Sequence, residues 1–313
     1  MSKAFLVTGG AGFIGSHIVR RLLKEGAAVR VIDNLSTGKK ERLHDIRSSI
    51  EFIADDLTDS SVCDRAVRGV EYVFHQAAVP SVYRSIQDPM GTNEANVTGT
   101  LNLLETCRKE GVRRLVYAAS SSAYGDTQVL PKKEDMAPNP LSPYALQKFV
   151  GERYCKLYND LYGLETVSLR YFNVFGPSQD PWSEYSAVIP KFATRLQSGQ
   201  SLLVYGDGEQ SRDFTYVDNV VEANMLAIRA PRAAGAVMNI GCGESLTLNR
   251  LIRLLEEILQ VQATVDYQPP RPGDVRHSLA DINLARDILG YRPTVPVIEG
   301  LRRTVEFFVS HPG

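Results

Sequence analysis

Residues 4–15 (AFLVTGGAGFIG) constrain the chain more than any other stretch. An unbroken apolar run is followed by glycines at positions 9, 12 and 15 and then by helix-like sequence. An apolar run without alternation suits a strand buried on both faces of a parallel sheet. Glycines three apart permit a tight turn, let the main chain approach a diphosphate, and pack the next helix against the strand. The N-terminus of that helix offers unpaired N–H groups and partial positive charge to an anion. A dinucleotide site on Gly9, Gly12 and Gly15 is expected.

The following residues fit that expectation. A helical pattern (Ile14, Ile18, Val19, Leu22, Leu23) stops at Gly26, and 28–32 reads as a second strand ending at Asp33. A carboxylate there accepts from a ribose diol and repels the extra phosphate of NADP, so NAD is expected. Lys39 and Lys40 read as a solvated loop. Strand-like 50–54, 72–78, 114–119 and 165–170 alternate with helix-like 60–67, 93–109 and 143–162. This rhythm predicts an α/β fold, a doubly wound parallel (Rossmann) sheet, with a smaller, mixed α/β C-terminal substrate domain. Residues 1–170 are assigned to the first domain, with 214–242 returning to it, and 171–213 and 243–313 to the second. The polar, proline-punctuated 80–89 reads as a loop over the site. Further helices are expected near 188–197, 219–228, 249–259 and 282–289.

Composition sets bounds on function. A net charge of -1 over 313 residues gives no field for nucleic acid or an anionic membrane. No apolar stretch reaches the roughly 18 residues needed to span a bilayer. The first strand begins at once, leaving no room for a signal peptide. Cys63, Cys107, Cys155 and Cys242 are dispersed among apolar neighbours and read as buried thiols of a reducing compartment, and the histidines show no ligand spacing. The expectation is a cytoplasmic protein without a metal.

The chemistry rests on Tyr144 and Lys148, four apart at the start of a helix opened by Ser142 and Pro143 and hence on one face. A free phenol is a poor base at neutral pH; an adjacent ammonium, the helix N-terminus and a positively charged nicotinamide all favour its phenolate. Tyr144 is thereby a candidate general base. Ser120, Ser121 and Ser122 end the fifth strand at the same sheet edge.

Together these residues resemble the extended short-chain dehydrogenase/reductase family over essentially the whole chain. The motifs carrying the likeness are 8–15 (TGGAGFIG), 33–36 (DNLS), 55–57 (DDL), 75–78 (HQAA), 96–99 (NVTG), 120–125 (SSSAYG), Tyr144 to Lys148, and 169–174 (LRYFNV). Within that family the chain is most similar to UDP-hexose 4-epimerases, and in character to those acting on UDP-N-acetylglucosamine. The resemblance implies that Tyr144 takes the proton of the sugar 4-hydroxyl while NAD⁺ takes the C4 hydride. A serine, Ser120 or Ser121, would bond the same oxygen. Lys148 would hold the nicotinamide ribose, and the cofactor, regenerated each cycle, would remain tightly bound.

The same resemblance assigns further contacts. Cofactor contacts fall on Phe13, Ile14, Asn34, Ser36, Thr37, Gly38, Asp56, Leu57, Gln76, Ala77, Ala78, Asn96, Tyr171 and Val174, with Asp56 either an adenine partner or a helix cap. Substrate contacts fall on Ser81, Val82, Ser122, Asn173, Val188, Lys191, Tyr205, Arg212, Arg271 and Asp274. Arg212 and Arg271 match diphosphate-binding arginines. Ala187 stands where the family often has asparagine. Ser278 occupies a position that is often a bulky aromatic in enzymes restricted to plain hexoses, which leaves room for a 2-acetamido group.

The helices near 93–109 and 143–162 carry more apolar positions than one sheet face needs. They serve either an intermolecular four-helix bundle in a homodimer or burial within one chain. Rival activities are a UDP-uronic acid 4-epimerase, with Arg84 or Arg276 meeting the carboxylate, a sugar-nucleotide dehydratase or decarboxylase, and a non-catalytic NAD-binding sensor. The dehydratase and decarboxylase are disfavoured because no carboxylate follows Ser120.

Overall fold

The computed structural model describes residues 4–181, 188–270 and 275–311. The apolar opening is strand β1, Ala4–Thr8, followed by the helix Phe13–Lys24. Strands β2 (Ala28–Ile32), β3 (Ile50–Ile53), β4 (Tyr72–His75), β5 (Arg114–Ser120) and β6 (Glu165–Tyr171) join it, and Val237–Ile240 adds a seventh. All pairings are parallel, in the order Val237–Ile240, β6, β5, β4, β1, β2, β3. The order reverses between β1 and β4, so a crevice opens at their carboxyl ends, where ligands bind in such sheets.

Both faces of the sheet are covered. Phe5, Val7, Phe74 and Val116 point into one apolar core, whereas Leu6, Val73, Leu115 and Tyr117 point into another. That division follows from the two-residue side-chain period of a strand. The first core includes Ile18, Val19 and Leu22 of Phe13–Lys24 and Val220 and Met225 of the helix Val217–Arg229. The second is closed by the helices Ser60–Val67, Gly99–Lys109 and Pro143–Tyr162. Beyond the sheet, the helices Val188–Gln197, Leu248–Leu259 and Val297–Ser310 pack together beside the parallel pair Leu202–Tyr205 and Val265–Gln268.

Three elements depart from the sequence reading. The expected loop over 80–89 instead holds the helix Val82–Gln87 and the start of a second, Pro89–Asn93. Ser81 caps the first by accepting from the Arg84 N–H, and Asp88 caps the second with Pro89 at its first position. Caps and an N-terminal proline stabilise helices that composition alone does not signal. The expected single helix 93–109 is interrupted over Glu94–Thr98, where the Gly99 N–H reaches the Glu94 carbonyl five residues back. The tail holds one more helix than expected, Val297–Ser310, whose Leu301, Thr304 and Val305 are buried.

Candidate active site

The glycine turn is closed on itself. Gly9 has φ +65°, in the left-handed region, and the Gly12 N–H donates to its carbonyl at 2.9 Å. A Cβ on Gly9 would stand 2.7 Å from the Ala77 main chain, and one on Gly12 2.9 Å from the Gly9 carbonyl. Gly12 is also the N-cap of Phe13–Lys24 and offers no capping side chain, so the first N–H groups of that helix face the crevice.

Asp33 stands where β2 ends, 6% exposed. Its carboxylate accepts from the Ala11 N–H at 2.9 Å and the Leu35 N–H at 2.8 Å. Burial raises its pKa and these N–H groups oppose the rise. Asp56 accepts from Asn34 Nδ2 at 2.5 Å and from the Thr58 N–H at 2.9 Å. It does not cap the following helix, because Asp59 does, accepting from the Ser61 N–H.

These groups share one cleft of about 1010 Å³. Its dinucleotide wall carries Phe13, Ile14, Gly15, Ser36, Thr37 and Gly38, with Leu57, Gln76, Ala77, Ala78, Tyr171 and Val174 alongside. Its other end carries Ser81, Val82, Ser120, Ser121, Ser122, Asn173, Arg212 and Ser278. Tyr144 and Lys148 line the same cleft.

Not every expected residue reaches the cleft. Asn96 is 1% exposed and works behind the wall, accepting from the Val79 N–H at 2.8 Å and donating to Gln147 Oε1 at 2.9 Å. Val188, Lys191 and Tyr205 are not among the described residues that line it. Ala187, Arg271 and Asp274 lie outside the described residues.

The cleft also gathers residues the sequence reading passed over. Lys39, expected in a solvated loop, pairs with Asp180 at 2.9 Å, and Arg42 donates to the carbonyls of Ser178 and Ala11. Both tie the loop after β2 across to the segment after β6. Arg84, Lys132 and Gln179 also line the cleft. Lys132 and Gln179 sit on irregular segments, where no periodicity marks a side chain as facing inward, whereas Arg84, already a candidate carboxylate partner from the sequence, sits on the helix Val82–Gln87.

At the catalytic end, Ser142 caps Pro143–Tyr162 by accepting from the Ala145 N–H at 3.2 Å, and the Tyr144 N–H donates to Ser85 Oγ at 3.0 Å. Ser120 Oγ lies 2.8 Å from Ser122 Oγ and accepts from the Ser122 N–H at 3.2 Å. Among the three serines, Ser120 is the one whose hydroxyl acts on the Tyr144 phenol, lowering its pKa. Burial raises the phenol above its ordinary pKa, with the Ser120 contact opposing it, and burial lowers Lys148 to about 7. The expected holding of a phenolate by the neighbouring ammonium is not met by these residues alone. The Lys148 ammonium instead lies 4.4 Å from the centre of the Tyr117 ring.

Among the described residues no helix is long and apolar enough to cross a membrane, and no group of three His, Cys, Asp or Glu side chains is placed to hold a metal ion.

Comparison with known proteins shows the family. Residues 5–241 match the NAD dependent epimerase/dehydratase family. The chain belongs to that family. It is 41% identical over 308 residues to a putative UDP-glucose 4-epimerase of Methanocaldococcus jannaschii, covering 98% of each chain. The solved structure of a UDP-N-acetylglucosamine 4-epimerase from Methanobrevibacter ruminantium in complex with UDP-N-acetylmuramic acid superposes with a TM-score of 0.94 at 42% identity, over 99% of both chains. A UDP-glucose 4-epimerase of Thermus thermophilus in complex with NAD gives 0.91 at 40% identity, over 98% of this chain and 99% of that one.

Members of the NAD dependent epimerase/dehydratase family use NAD, and the residues present fit it. The uncapped helix start at Gly12 suits a diphosphate, and the glycine turn keeps the main chain clear of side-chain bulk. The Asp33 carboxylate keeps lone pairs beyond its two main-chain bonds for a ribose diol.

Proposed function

We propose that the protein interconverts the C4 epimers of a UDP-hexose and that its preferred pair is UDP-N-acetylglucosamine and UDP-N-acetylgalactosamine. The observation that carries this reading is one cleft in which the glycine turn and Asp33 lead directly to Ser120, Tyr144 and Lys148.

NAD, when bound, supplies a reversible hydride acceptor for C4 of the sugar. The chain's own residues handle the proton and the geometry. Tyr144 takes the proton of the 4-hydroxyl and later returns one to the same oxygen, while Ser120 donates a hydrogen bond to that oxygen. Burial raises the Tyr144 phenol above its ordinary pKa, so Tyr144 would take the proton with the help of the positive charge that bound NAD would bring to the cleft. Lys148, anchored one helical turn along, meets the ribose hydroxyls. Arg212 and Asn173, on the same wall, orient the nucleotide diphosphate.

Preference for an acetylated sugar is supported by Ser278, a small residue on the cleft wall whose N–H is pinned to the Ser211 carbonyl at 3.0 Å. Residues 1–170 with 214–242 serve as the cofactor unit in this reading, and 171–213 with 243–313 as the substrate unit. The substitution Ser278→Tyr tests the pocket. It lowers kcat/KM on UDP-N-acetylglucosamine at least tenfold more than on UDP-glucose, about 1.4 kcal/mol of discrimination. Equal loss on both rejects the assignment. Product NMR on a panel of UDP-sugars distinguishes epimerisation from dehydration, decarboxylation or mere cofactor binding.

A further inference from the structure

Lys132 has no role in the mechanism above, yet its setting is unusual. It is 2% exposed, lines the cleft, and lies in the proline-rich connection between β5 and the helix Pro143–Tyr162. Its ammonium carries three donors, and the partner it has is the Thr127 main-chain carbonyl. Among the described residues no carboxylate stands within ion-pair distance; Asp126 acts on its charge only from farther off. A buried cation without a counter-charge is costly, and an acceptor arriving with a ligand relieves that cost.

The main chain of Lys132 is fixed on several sides. Its N–H donates to the Leu279 carbonyl at 2.7 Å, and its own carbonyl accepts from the Asp281 N–H at 2.9 Å and from Asn239 Nδ2 at 2.9 Å. It is thus held beside the segment that begins with Ser278, in the same cleft that Ser120 and Tyr144 line. A side chain mounted on so constrained a support is pre-organised for recognition.

We propose that Lys132 is a specificity-determining residue that donates from its ammonium to a planar oxygen acceptor carried by the hexose. That acceptor is the carbonyl of a 2-acetamido group or a carboxylate at C6. The inference rests on the reading of the cleft as a UDP-sugar site. Plain hexoses lack such a group, so Lys132 separates substituted from unsubstituted sugars.

The test measures dissociation constants of UDP, UDP-glucose, UDP-N-acetylglucosamine and UDP-glucuronate for the wild-type holoenzyme, Lys132→Met and Lys132→Arg, by calorimetry. A charge-assisted hydrogen bond lost from a desolvated site weakens binding by about tenfold or more. Lys132→Met is expected to weaken one substituted sugar by that factor relative to UDP and UDP-glucose, with Lys132→Arg recovering part of it. Loss confined to UDP-N-acetylglucosamine identifies the acetamido carbonyl; loss confined to UDP-glucuronate identifies the carboxylate. Equal weakening of all four ligands, including UDP without a sugar, reveals a merely structural lysine and overturns the proposal, as does no change. If wild type binds the sugars but epimerises none, the proposed activity fails while the role of Lys132 still stands or falls on these constants.

Discussion

The Lys148 ammonium lies 4.4 Å from the centre of the Tyr117 ring. Burial depresses Lys148 from 10.5 to about 7. Between those values the unfolded chain holds a proton that the folded chain lacks. The cost of burying this lysine is thus full below pH 7 and fades as pH rises towards 10. Replacing it with methionine removes that dependence, at most about 1.4 kcal/mol per pH unit. Denaturant unfolding of cofactor-free protein at pH 6 and pH 9 should show Lys148→Met gaining on wild type at pH 6 and keeping only part of that gain at pH 9. A pH-independent difference contradicts the buried-cation account.

Tyr144→Phe should bind UDP-sugar and retain cofactor while turnover falls by at least about 10³-fold, the upper range for loss of an acid–base group. Ser120→Ala should cost about 10²-fold and Ser121→Ala much less, because Ser120 is the serine whose hydroxyl lowers the Tyr144 pKa. Steady-state kinetics of the three variants decide this. A larger loss in Ser121→Ala than in Ser120→Ala would reassign the hydroxyl.

Asp33→Ala removes the acceptor from the end of β2 and also frees the Ala11 and Leu35 N–H groups. The purified variant should carry much less NAD than wild type and lose discrimination against NADP. Absorbance and chromatography of the nucleotide released on denaturation measure both. Full retention of NAD would remove Asp33 from the cofactor site.

A homodimer through Pro143–Tyr162 and the helix Gly99–Lys109 is proposed because burial within one chain does not account for the apolar positions: Leu146, Leu157 and Leu161 are 50%, 43% and 67% exposed. The double substitution Leu146→Glu/Leu157→Glu should convert a dimer to monomers in light scattering. Wild-type monomers at micromolar concentration would reject the interface.

How far the sequence could be read depended on whether local signals dominated. The unbroken apolar run of β1, the glycine spacing and Asp33 at the end of β2 placed one wall of the cleft, because each depends on its own neighbours. Tyr144 and Lys148 were legible through helical spacing for the same reason. Asn96 was misplaced because the interruption at Glu94–Thr98 turns it towards Val79, a tertiary effect with no local sign. The helix Val82–Gln87 was hidden by its polar composition, although the Ser81 cap was there to see. Lys132 escaped notice because an irregular segment gives no clue to which side chains turn inward, and Arg42 because the polar stretch around it, a 3₁₀ helix over Lys40–Ser49, carries no apolar periodicity. The protonation of Tyr144 and Lys148 depends on burial by distant parts of the chain, which spacing cannot report.

The most direct test follows deuterium placed at C4 of UDP-N-acetylglucosamine through the reaction, read by NMR after incubation with purified protein. The account predicts an equilibrium mixture with UDP-N-acetylgalactosamine in which deuterium stays at C4 of both sugars and no reduced cofactor is released. Formation of a dehydrated sugar, exchange of the label with water, or recovery of unchanged substrate from enzyme carrying its NAD would contradict it.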